Sequence, residues 1–324
     1  MYLPVAQPTV ETPPDIGAAV LISTSFDFAE QGYVQEEFFL SGSASSFGNL
    51  NELANDGRWK AERTDMADYR IRVVVYRPAS SSDFSGTVVV EWLNVTNGFD
   101  VPAGWRAGHV EALRRGHAWV NVAAQRVGIE GQEDAVLPLY LAQADPERYA
   151  SLTHPGDSFS YDMFSQVTAA VRAGDGGILG GFTPEVIIAS GESQSASRLL
   201  TYINPIQPFY NAYDPFLVDS RYNSSQALSQ SPQTEIPAPE AVLFRDDLST
   251  PVINFQSETD VIPLGAVDER QAIVSISGCG KPRAPLITTT TNWISGAITS
   301  ESAQKKPWWL KTTRSSACSN VQSH

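Results

Sequence analysis

Residues 185–200 read EVIIASGESQSASRLL, and this stretch decides the fold. Its apolar beginning, residues 185–189, predicts a short strand, because continuous branched apolar residues are typical of strands covered on both faces. The apolar spacing over residues 194–203 predicts a helix. Only Ser-Gly-Glu-Ser lies between the two, so the chain passes from strand to helix through a very tight turn.

Ser193 is the last residue of that turn, and we predict that it is a catalytic nucleophile. A nucleophile elbow needs small residues two positions before and two positions after its serine, and here these are Gly191 and Ser195. The positive end of the following helix favours negative charge that develops beside Ser193. The backbone N–H of Gln194 is then the expected oxyanion donor. The alternative interpretation is a serine-rich loop that opens a helix, since the usual second glycine is replaced by serine.

The rhythm of strand, loop and helix continues on both sides of this turn. Further apolar strands are predicted at residues 70–76, 86–93, 118–124, 215–218 and 251–256, and helices at residues 109–115 and 162–173. This alternation predicts an α/β fold with a mostly parallel sheet covered on both faces. Active sites form at the carboxyl ends of such strands. The long loops 126–156 and 219–248 are therefore expected to be lids or binding loops.

A carboxylate is expected after a late strand, where this type of fold places the acid that orients a catalytic histidine. Residues 251–263 read PVINFQSETDVIP, an apolar strand followed at once by acids. Asp260 has the spacing expected after a strand and a short turn, and Glu258 is the alternative. Either acid also has a simpler interpretation as a solvated loop residue or a helix N-cap.

Several runs of the sequence resemble those of bacterial α/β-hydrolase-domain proteins, which are serine esterases with a GESQSA-type elbow. The resemblance extends over about residues 28–271 and rests on GYVQEEFFLSG (32–42), GTVVVEWLN (86–94), AQRVG (124–128), SLTHPGD (151–157), GESQSASR (191–198) and QSETD (256–260). It implies an α/β-hydrolase fold, with Ser193 as the nucleophile and Glu258 or Asp260 as the acid. It also implies a second oxyanion donor near Asn94, but no particular substrate.

The general base is the missing part of this site, because the histidine of such a hydrolase follows the acid in the chain. The histidines of this chain are His109, His117, His154 and His324. Only His324 follows the acid, and chain ends are poorly held unless they dock. His109 and His117 flank a predicted helix and are expected to pack or to face solvent. His154, in a His-Pro-Gly-Asp turn, is a candidate for lining the site and a weak substitute base.

The composition changes near residue 272, where the resemblance stops. Residues 272–324 contain a single acid, Glu301, and both cysteines, Cys279 and Cys318. Without cysteines, the first 271 residues use neither disulfides nor thiol chemistry.

A shifted reading frame explains this change. Family members continue with a segment of the form FRxWExAGxxHxD, which carries the histidine. Codons from Ile276 onward, read one base out of frame, permit the sequence FRVWEAAGASHHDYY. The third base of each codon is free to vary, so the inference depends on the first two bases of each codon, which agree with the shifted sequence. We therefore predict an incomplete α/β-hydrolase domain over residues 1–271. Residues 272–324 are then a non-native, disordered tail that replaces the last strand and helix.

Composition excludes several other functions. A formal net charge of −14 argues against nucleic acid and anionic membranes as partners, and no apolar run is long enough to span a bilayer. Clustered metal ligands and a G-x-G-x-x-G nucleotide motif are absent from the sequence, so we expect no metal and no cofactor. The first residues do not resemble a signal peptide, so a cytoplasmic location is expected.

Two functional hypotheses follow from the sequence. The first is a serine hydrolase that acts on a small-molecule ester or a related acyl bond by a Ser-His-Asp mechanism, with activity severely reduced by the loss of the histidine. The second is a non-catalytic hydrolase scaffold, either a ligand-binding pseudoenzyme or a truncated product. The sequence specifies no oligomeric state.

Overall fold

One sheet runs through the described part of the chain, which in the computed structural model comprises residues 2–132, 137, 139–222, 224–263, 265–266 and 271 and the backbone of Ile287–Asn292. In chain order its strands are β1 (Thr9–Glu11), β2 (Tyr33–Asn49), β3 (Ala61–Pro78), β4 (Thr87–Trp92), β5 (Ala118–Val122), β6 (Val186–Glu192), β7 (Phe216–Asp219), β8 (Val252–Ser257) and β9 (Ile287–Asn292).

The strands lie in the order β1-β2-β3-β5-β4-β6-β7-β8-β9. β2 pairs antiparallel with both β1 and β3, and β3 pairs antiparallel with β5. From β5 to β9 every neighbouring pair is parallel, with Val89 of β4 opposite Ile188 of β6. The prediction of a mostly parallel α/β sheet is confirmed. Its parallel part brings the carboxyl ends of β4, β6, β7 and β8 to one edge.

Helices cover both faces of the sheet. They are α1 (Ala103–Arg115), α2 (Arg126–Glu130), α3 (Leu141–Ala144), α4 (Ser160–Arg172), α5 (Gln194–Thr201), α6 (Gln207–Tyr210) and α7 (Glu258–Val261). Alternate residues of a strand point to opposite faces. Val88 and Val90 of β4 therefore join the larger core, which includes residues of α4 and α5, whereas Val89 joins a smaller core with Trp105 of α1. No helix in the described residues is long and apolar enough to cross a membrane.

The longest strands were not predicted at their full length. β2 and β3 pair along most of their length, with a register shift between Ser45 and Phe47, but the sequence predicts only residues 70–76 of β3. Outside that run, charged and small polar residues interrupt the apolar alternation, so periodicity alone does not indicate a strand.

β9 lies in the segment 272–324, whose fold the sequence predicts to be non-native. Its backbone pairs with β8 in parallel, with Ile253 opposite Thr288. The run ITTTTN is rich in β-branched residues, which favour strands. It therefore occupies the edge of the sheet where the sequence predicts the loss of a strand. The rest of the segment, including His324, lies outside the described residues, so the predicted tail from residue 272 stays a prediction.

Candidate active site

Ser193 lies between the end of β6 and the first residue of α5. Its backbone has φ 56° and ψ −116°, a region that residues with a side chain rarely adopt and that costs about 1–3 kcal/mol. Strain of this kind persists only where the surrounding structure imposes it. A strained serine between a strand and a helix has the backbone geometry of a nucleophile elbow, and the role of Ser193 as the nucleophile stays a prediction.

Gly191 and Ser195 make this tight turn possible. A Cβ atom on Gly191 would lie 2.9 Å from the backbone oxygen of Ser195, closer than real Cβ atoms come. The Ser195 hydroxyl, fully buried, donates to the Glu192 carbonyl at 2.8 Å and accepts the Glu192 N–H at 3.0 Å. A serine therefore takes the place of the usual second glycine by closing the turn with its own side chain.

Two backbone N–H groups belong to the turn at Ser193. The Ser193 N–H donates to the carbonyl of Asp219 at the end of β7, at 2.9 Å. The N–H of Gln194 belongs to the first residue of α5, so it has no partner within the helix. Such an N–H at a helix N-terminus can receive negative charge that develops beside Ser193.

Asn94 contacts the turn directly from the loop after β4. Its side-chain nitrogen donates to the Glu192 carbonyl at 3.0 Å and to the Glu192 carboxylate at 3.1 Å. Its backbone N–H donates to the Val101 carbonyl. Because these donors already have partners, Asn94 holds the elbow in this structure, and a second oxyanion donor near it stays a prediction.

The two candidate acids differ sharply in burial. Asp260 is 5% exposed, whereas Glu258 at the start of α7 is exposed. The Asp260 carboxylate accepts the Ser257 N–H at 2.6 Å, and the Asp260 N–H donates to the Ser257 hydroxyl at 3.4 Å, which forms a capping box. Asp260 therefore also has the structural role of a helix cap, and its burial at the end of β8 favours it over Glu258.

Two further carboxylates, Glu192 and Asp219, accompany Asp260 at the carboxyl ends of β6, β7 and β8. Burial raises the pKa of Asp219 to about 6, and the charge of Asp260 adds to this effect. Burial also raises the pKa of Glu192, with contributions from both aspartates. The site thus favours a cation beside it, such as an imidazolium. The sequence analysis did not identify Glu192 or Asp219. Each is an acid at the end of an apolar strand next to the others, and this position could have indicated them.

The described histidines do not reach Ser193 through a hydrogen bond. In buried His154, Nε2 donates to the Ala124 carbonyl at 3.1 Å and Nδ1 accepts the Gly156 N–H at 3.2 Å. Burial lowers the pKa of His154, and both ring nitrogens have backbone partners, so no lone pair remains to accept a proton. His109 Nδ1 on α1 contacts the Trp105 carbonyl, and His117 Nδ1, two residues after α1 ends, contacts the Ser85 hydroxyl.

A buried polar network supports α5 behind Ser193. Arg198 forms an ion pair with Asp157 at 2.9 Å, and both side chains are less than a tenth exposed. Gln125 donates to the same Asp157 oxygen at 3.3 Å and accepts from the Trp92 indole at 3.1 Å. These residues come from four of the runs on which the family resemblance rests. Loss of one member would leave a buried charge or polar group unpaired.

Asp100, in the loop that also carries Asn94, is a buried acid whose two carboxylate oxygens have no hydrogen-bond partner in the described residues; the side chain is 8% exposed. Burial raises its pKa from 3.8 to about 7, against the attraction of Arg72. A raised acid pKa means that the folded state keeps a proton that the unfolded state releases. The protein therefore loses stability as pH rises from about 4 to about 7.

We expect Asp100→Asn to remove this part of the pH dependence. Relative to the unmodified chain, the variant should be about 4 kcal/mol more stable at pH 8 than it is at pH 4. Urea unfolding at both pH values measures this difference, with Asp68→Asn at an exposed position as the matched control. Parallel pH dependences for the unmodified chain and Asp100→Asn would show that Asp100 is not the titrating group.

No group of three or more His, Cys, Asp or Glu side chains in the described part of the chain is arranged to hold a metal ion. The arrangement that is present consists of a strained serine, a helix N-terminus without a side-chain cap, one buried carboxylate and two half-buried ones. It can support nucleophilic attack on an acyl carbon if a base accepts the serine proton.

Comparisons with known proteins give a match to one family model and several similar solved structures. A family model described as "Alpha/beta hydrolase domain" matches residues 5–272. Similar solved structures include acetyl xylan esterase 1 from Thermoanaerobacterium sp. (TM-score 0.40, 9% identity, 88% of this chain and 81% of that chain). They also include glucuronoyl esterase from Solibacter usitatus (0.39, 10%, 88% and 85%) and an α/β serine hydrolase without a lid from Xanthomonas campestris (0.37, 12%, 77% and 84%). A search of the curated proteins finds no match.

Proposed function

The chain belongs to the α/β-hydrolase domain family, and from this premise we propose that it is a serine hydrolase built to cleave a carboxylic ester or a related acyl bond of a small molecule. The observation that carries the proposal is the strained backbone of Ser193 between β6 and α5. Gly191 and Ser195 make the strained backbone of Ser193 possible. This backbone presents the Ser193 hydroxyl to a substrate.

In the proposed mechanism the Ser193 oxygen attacks the carbonyl carbon of the ester. The carbonyl oxygen becomes an oxyanion, which the Gln194 N–H and the N-terminal end of α5 stabilise. A histidine accepts the serine proton and returns it to the leaving alcohol, and the acyl-enzyme is then hydrolysed by water. Asp260 orients that histidine and, with Glu192 and Asp219, stabilises its charged form.

None of the histidines in the described part of the chain forms a hydrogen bond with Ser193. His154 has both ring nitrogens bound to the backbone, and the segment in which the family histidine is expected reads instead as a shifted frame from about residue 272. We therefore propose that this chain carries a hydrolase site without its base. Its activity should be lower by several orders of magnitude, because the members of a triad act as a unit.

Ser193→Ala tests the nucleophile. We expect it to abolish hydrolysis of p-nitrophenyl acetate in the chain whose reading frame is restored from codon 272, here called the frame-restored chain. The rate should fall by about 10⁵–10⁶-fold, which leaves only the contributions of binding and of the oxyanion donors. Ser190→Ala, a buried serine three positions earlier in β6, is the matched control. Hydrolysis that survives in folded Ser193→Ala contradicts the proposal.

A second candidate is a non-catalytic scaffold, and the bound state of both His154 nitrogens favours it because this buried histidine is then unavailable as a base. This candidate predicts that the frame-restored chain folds but hydrolyses no ester. Turnover of any p-nitrophenyl ester that depends on Ser193 rules it out.

A further inference from the structure

A polar pocket with a volume of about 340 Å³ lies beside α2. This volume is within the range of small-molecule sites, which is about 300–1,000 Å³. The side chains that line the pocket come from α2, from the turn before α4 and from the loop after β7: Arg126, Val127, Glu130, Asp157, Gln230 and Ser231. Val127 is the only apolar side chain among these described residues, so the pocket is a poor site for a hydrocarbon chain.

The pocket lies at the same edge of the sheet as Ser193. α2 begins four residues after β5 ends, and β5, β4 and β6 are parallel neighbours, so their carboxyl ends meet at one edge. β5 is two strands, or about 10 Å, from β6 and its elbow. Arg198 of α5 also contacts two lining residues, because its guanidinium donates to Asp157 at 2.9 Å and to Gln230 at 3.1 Å. An ester held at Ser193 can therefore extend into this pocket.

The charged groups of the pocket already have partners of opposite charge. On α2, Arg126 forms an ion pair with Glu130. The Asp157 carboxylate pairs with Arg198 and accepts the backbone N–H of Arg126 at 2.9 Å. An ionic ligand would therefore find no unpaired countercharge among the described residues that line the pocket. An alkyl group would remove these polar groups from water without replacing their hydrogen bonds. A neutral group that carries hydroxyls meets neither cost.

Gln230 offers hydrogen-bond donors in a fixed orientation. Its backbone N–H donates to the Ser158 hydroxyl at 2.8 Å, and its backbone carbonyl accepts from that hydroxyl at 2.8 Å. Its side-chain oxygen accepts from Arg198. Because arginine can only donate, the amide oxygen must face Arg198 and the NH₂ group must face away from it. In the part of the chain that the structure describes, this NH₂ group has no hydrogen-bond partner, so it can donate to a ligand hydroxyl.

We propose that this pocket binds the alcohol part of the ester and selects a neutral, hydroxyl-rich alcohol such as a sugar. The proposal rests on the proposed function of Ser193. Hydroxyls enter an ester most simply through a polyol, because the hydroxyls that are not esterified remain on the alcohol. They can accept from the Gln230 amide and donate to the Glu130 carboxylate, whereas an apolar alcohol of the same size leaves these groups without a partner.

Two primary acetate esters of similar size test this selection: 6-O-acetylglucose, and cyclohexylmethyl acetate, which has a ring without hydroxyls. For the full-length frame-restored chain we expect kcat/KM to be at least about tenfold higher for the sugar ester. Gln230→Met keeps the length of the side chain and removes its amide, so it should reduce this preference to below about threefold. Gln233→Met, in the same loop but outside the pocket, is the matched control and should keep the preference. Equal kcat/KM values for the two esters, or a preference that survives in folded Gln230→Met, overturn the proposal.

A second variant changes another wall of the pocket, and it takes the place of Gln230→Met if that variant does not fold. Arg126→Leu combined with Glu130→Leu makes the α2 wall apolar without a change in net charge. Both side chains are exposed, so the fold should tolerate the change. The preference for the sugar ester should fall by at least about threefold. A preference that stays the same in this double variant also overturns the proposal.

Binding gives a readout that does not depend on catalysis. Isothermal titration of 6-O-acetylglucose into the full-length frame-restored chain with Ser193→Ala should show saturable one-to-one binding, which Gln230→Met weakens by about tenfold. Absence of saturable binding overturns the proposal. If p-nitrophenyl acetate is hydrolysed but the sugar ester is not preferred, the proposal for the pocket fails and the proposed function stands. If the chain neither hydrolyses esters nor reacts with a fluorophosphonate, the proposed function fails, and the titration alone decides whether the pocket binds a sugar ester.

Discussion

Restoring the reading frame from codon 272 is expected to raise the kcat/KM for p-nitrophenyl acetate by about 10⁵–10⁶-fold over the chain as it stands, because loss of the histidine costs about as much as loss of the serine. The physical reason is that Ser193 is weakly nucleophilic as a neutral hydroxyl and needs a base in hydrogen-bond reach. The buried carboxylate of Asp260 and the half-buried carboxylates of Glu192 and Asp219 favour the imidazolium that forms when such a base accepts the proton.

The restored segment contains two adjacent histidines, and each can be changed to alanine separately. The gain in activity should disappear with one of them and persist with the other, which serves as the matched control. Steady-state kinetics at pH 8 gives the comparison. A frame-restored chain that folds but gains no activity contradicts the prediction. So does a gene sequence whose frame is intact through codons 270–291 without a lost or gained base.

Asp260→Asn is expected to lower kcat of the frame-restored chain by about 10³–10⁴-fold. An amide in place of the carboxylate favours the wrong tautomer of the histidine and leaves its charged form unstabilised, which in serine proteases costs about 10⁴-fold. Glu258→Gln should leave kcat within about twofold, because that side chain is exposed.

The capping role of Asp260 requires its own control. Ser257→Ala breaks the same capping box but leaves the carboxylate in place, so it should cost about 1 kcal/mol of stability and little activity. Equal losses of kcat in Ser257→Ala and Asp260→Asn would mean that Asp260 acts through the helix cap alone. If Asp219→Asn rather than Asp260→Asn abolishes activity, Asp219 is the acid.

The parallel part of the sheet was predictable because its strands are buried on both faces and read as continuous apolar runs. The strand β6, the helix α5 and the sharp turn between them also follow from residues 185–200. β2 was not predicted because its apolar alternation is weak. The strand forms because it pairs with β3 along most of its length. Strand pairing of this kind depends on residues far apart in the chain, which periodicity does not report.

The site was predictable in its sequence positions but not in its contacts. The sequence indicates Ser193 and an acid at Asp260 or Glu258, and the difference in burial between the two acids is visible only in the structure. Asn94 was expected as an oxyanion donor, whereas its donors bind Glu192 and Val101. The bonds of the His154 ring and the cluster with Asp219 depend on how loops meet at the edge of the sheet.

The central claim is that Ser193 is the nucleophile of a serine hydrolase. The most direct measurement is mass spectrometry of the frame-restored chain after reaction with a fluorophosphonate, followed by proteolysis and mapping of the adduct. We predict a single adduct on Ser193, absent from Ser193→Ala and from protein unfolded before reaction, with Ser190 and Ser195 unmodified. A folded protein that carries no adduct, or carries it on another residue, would contradict the account.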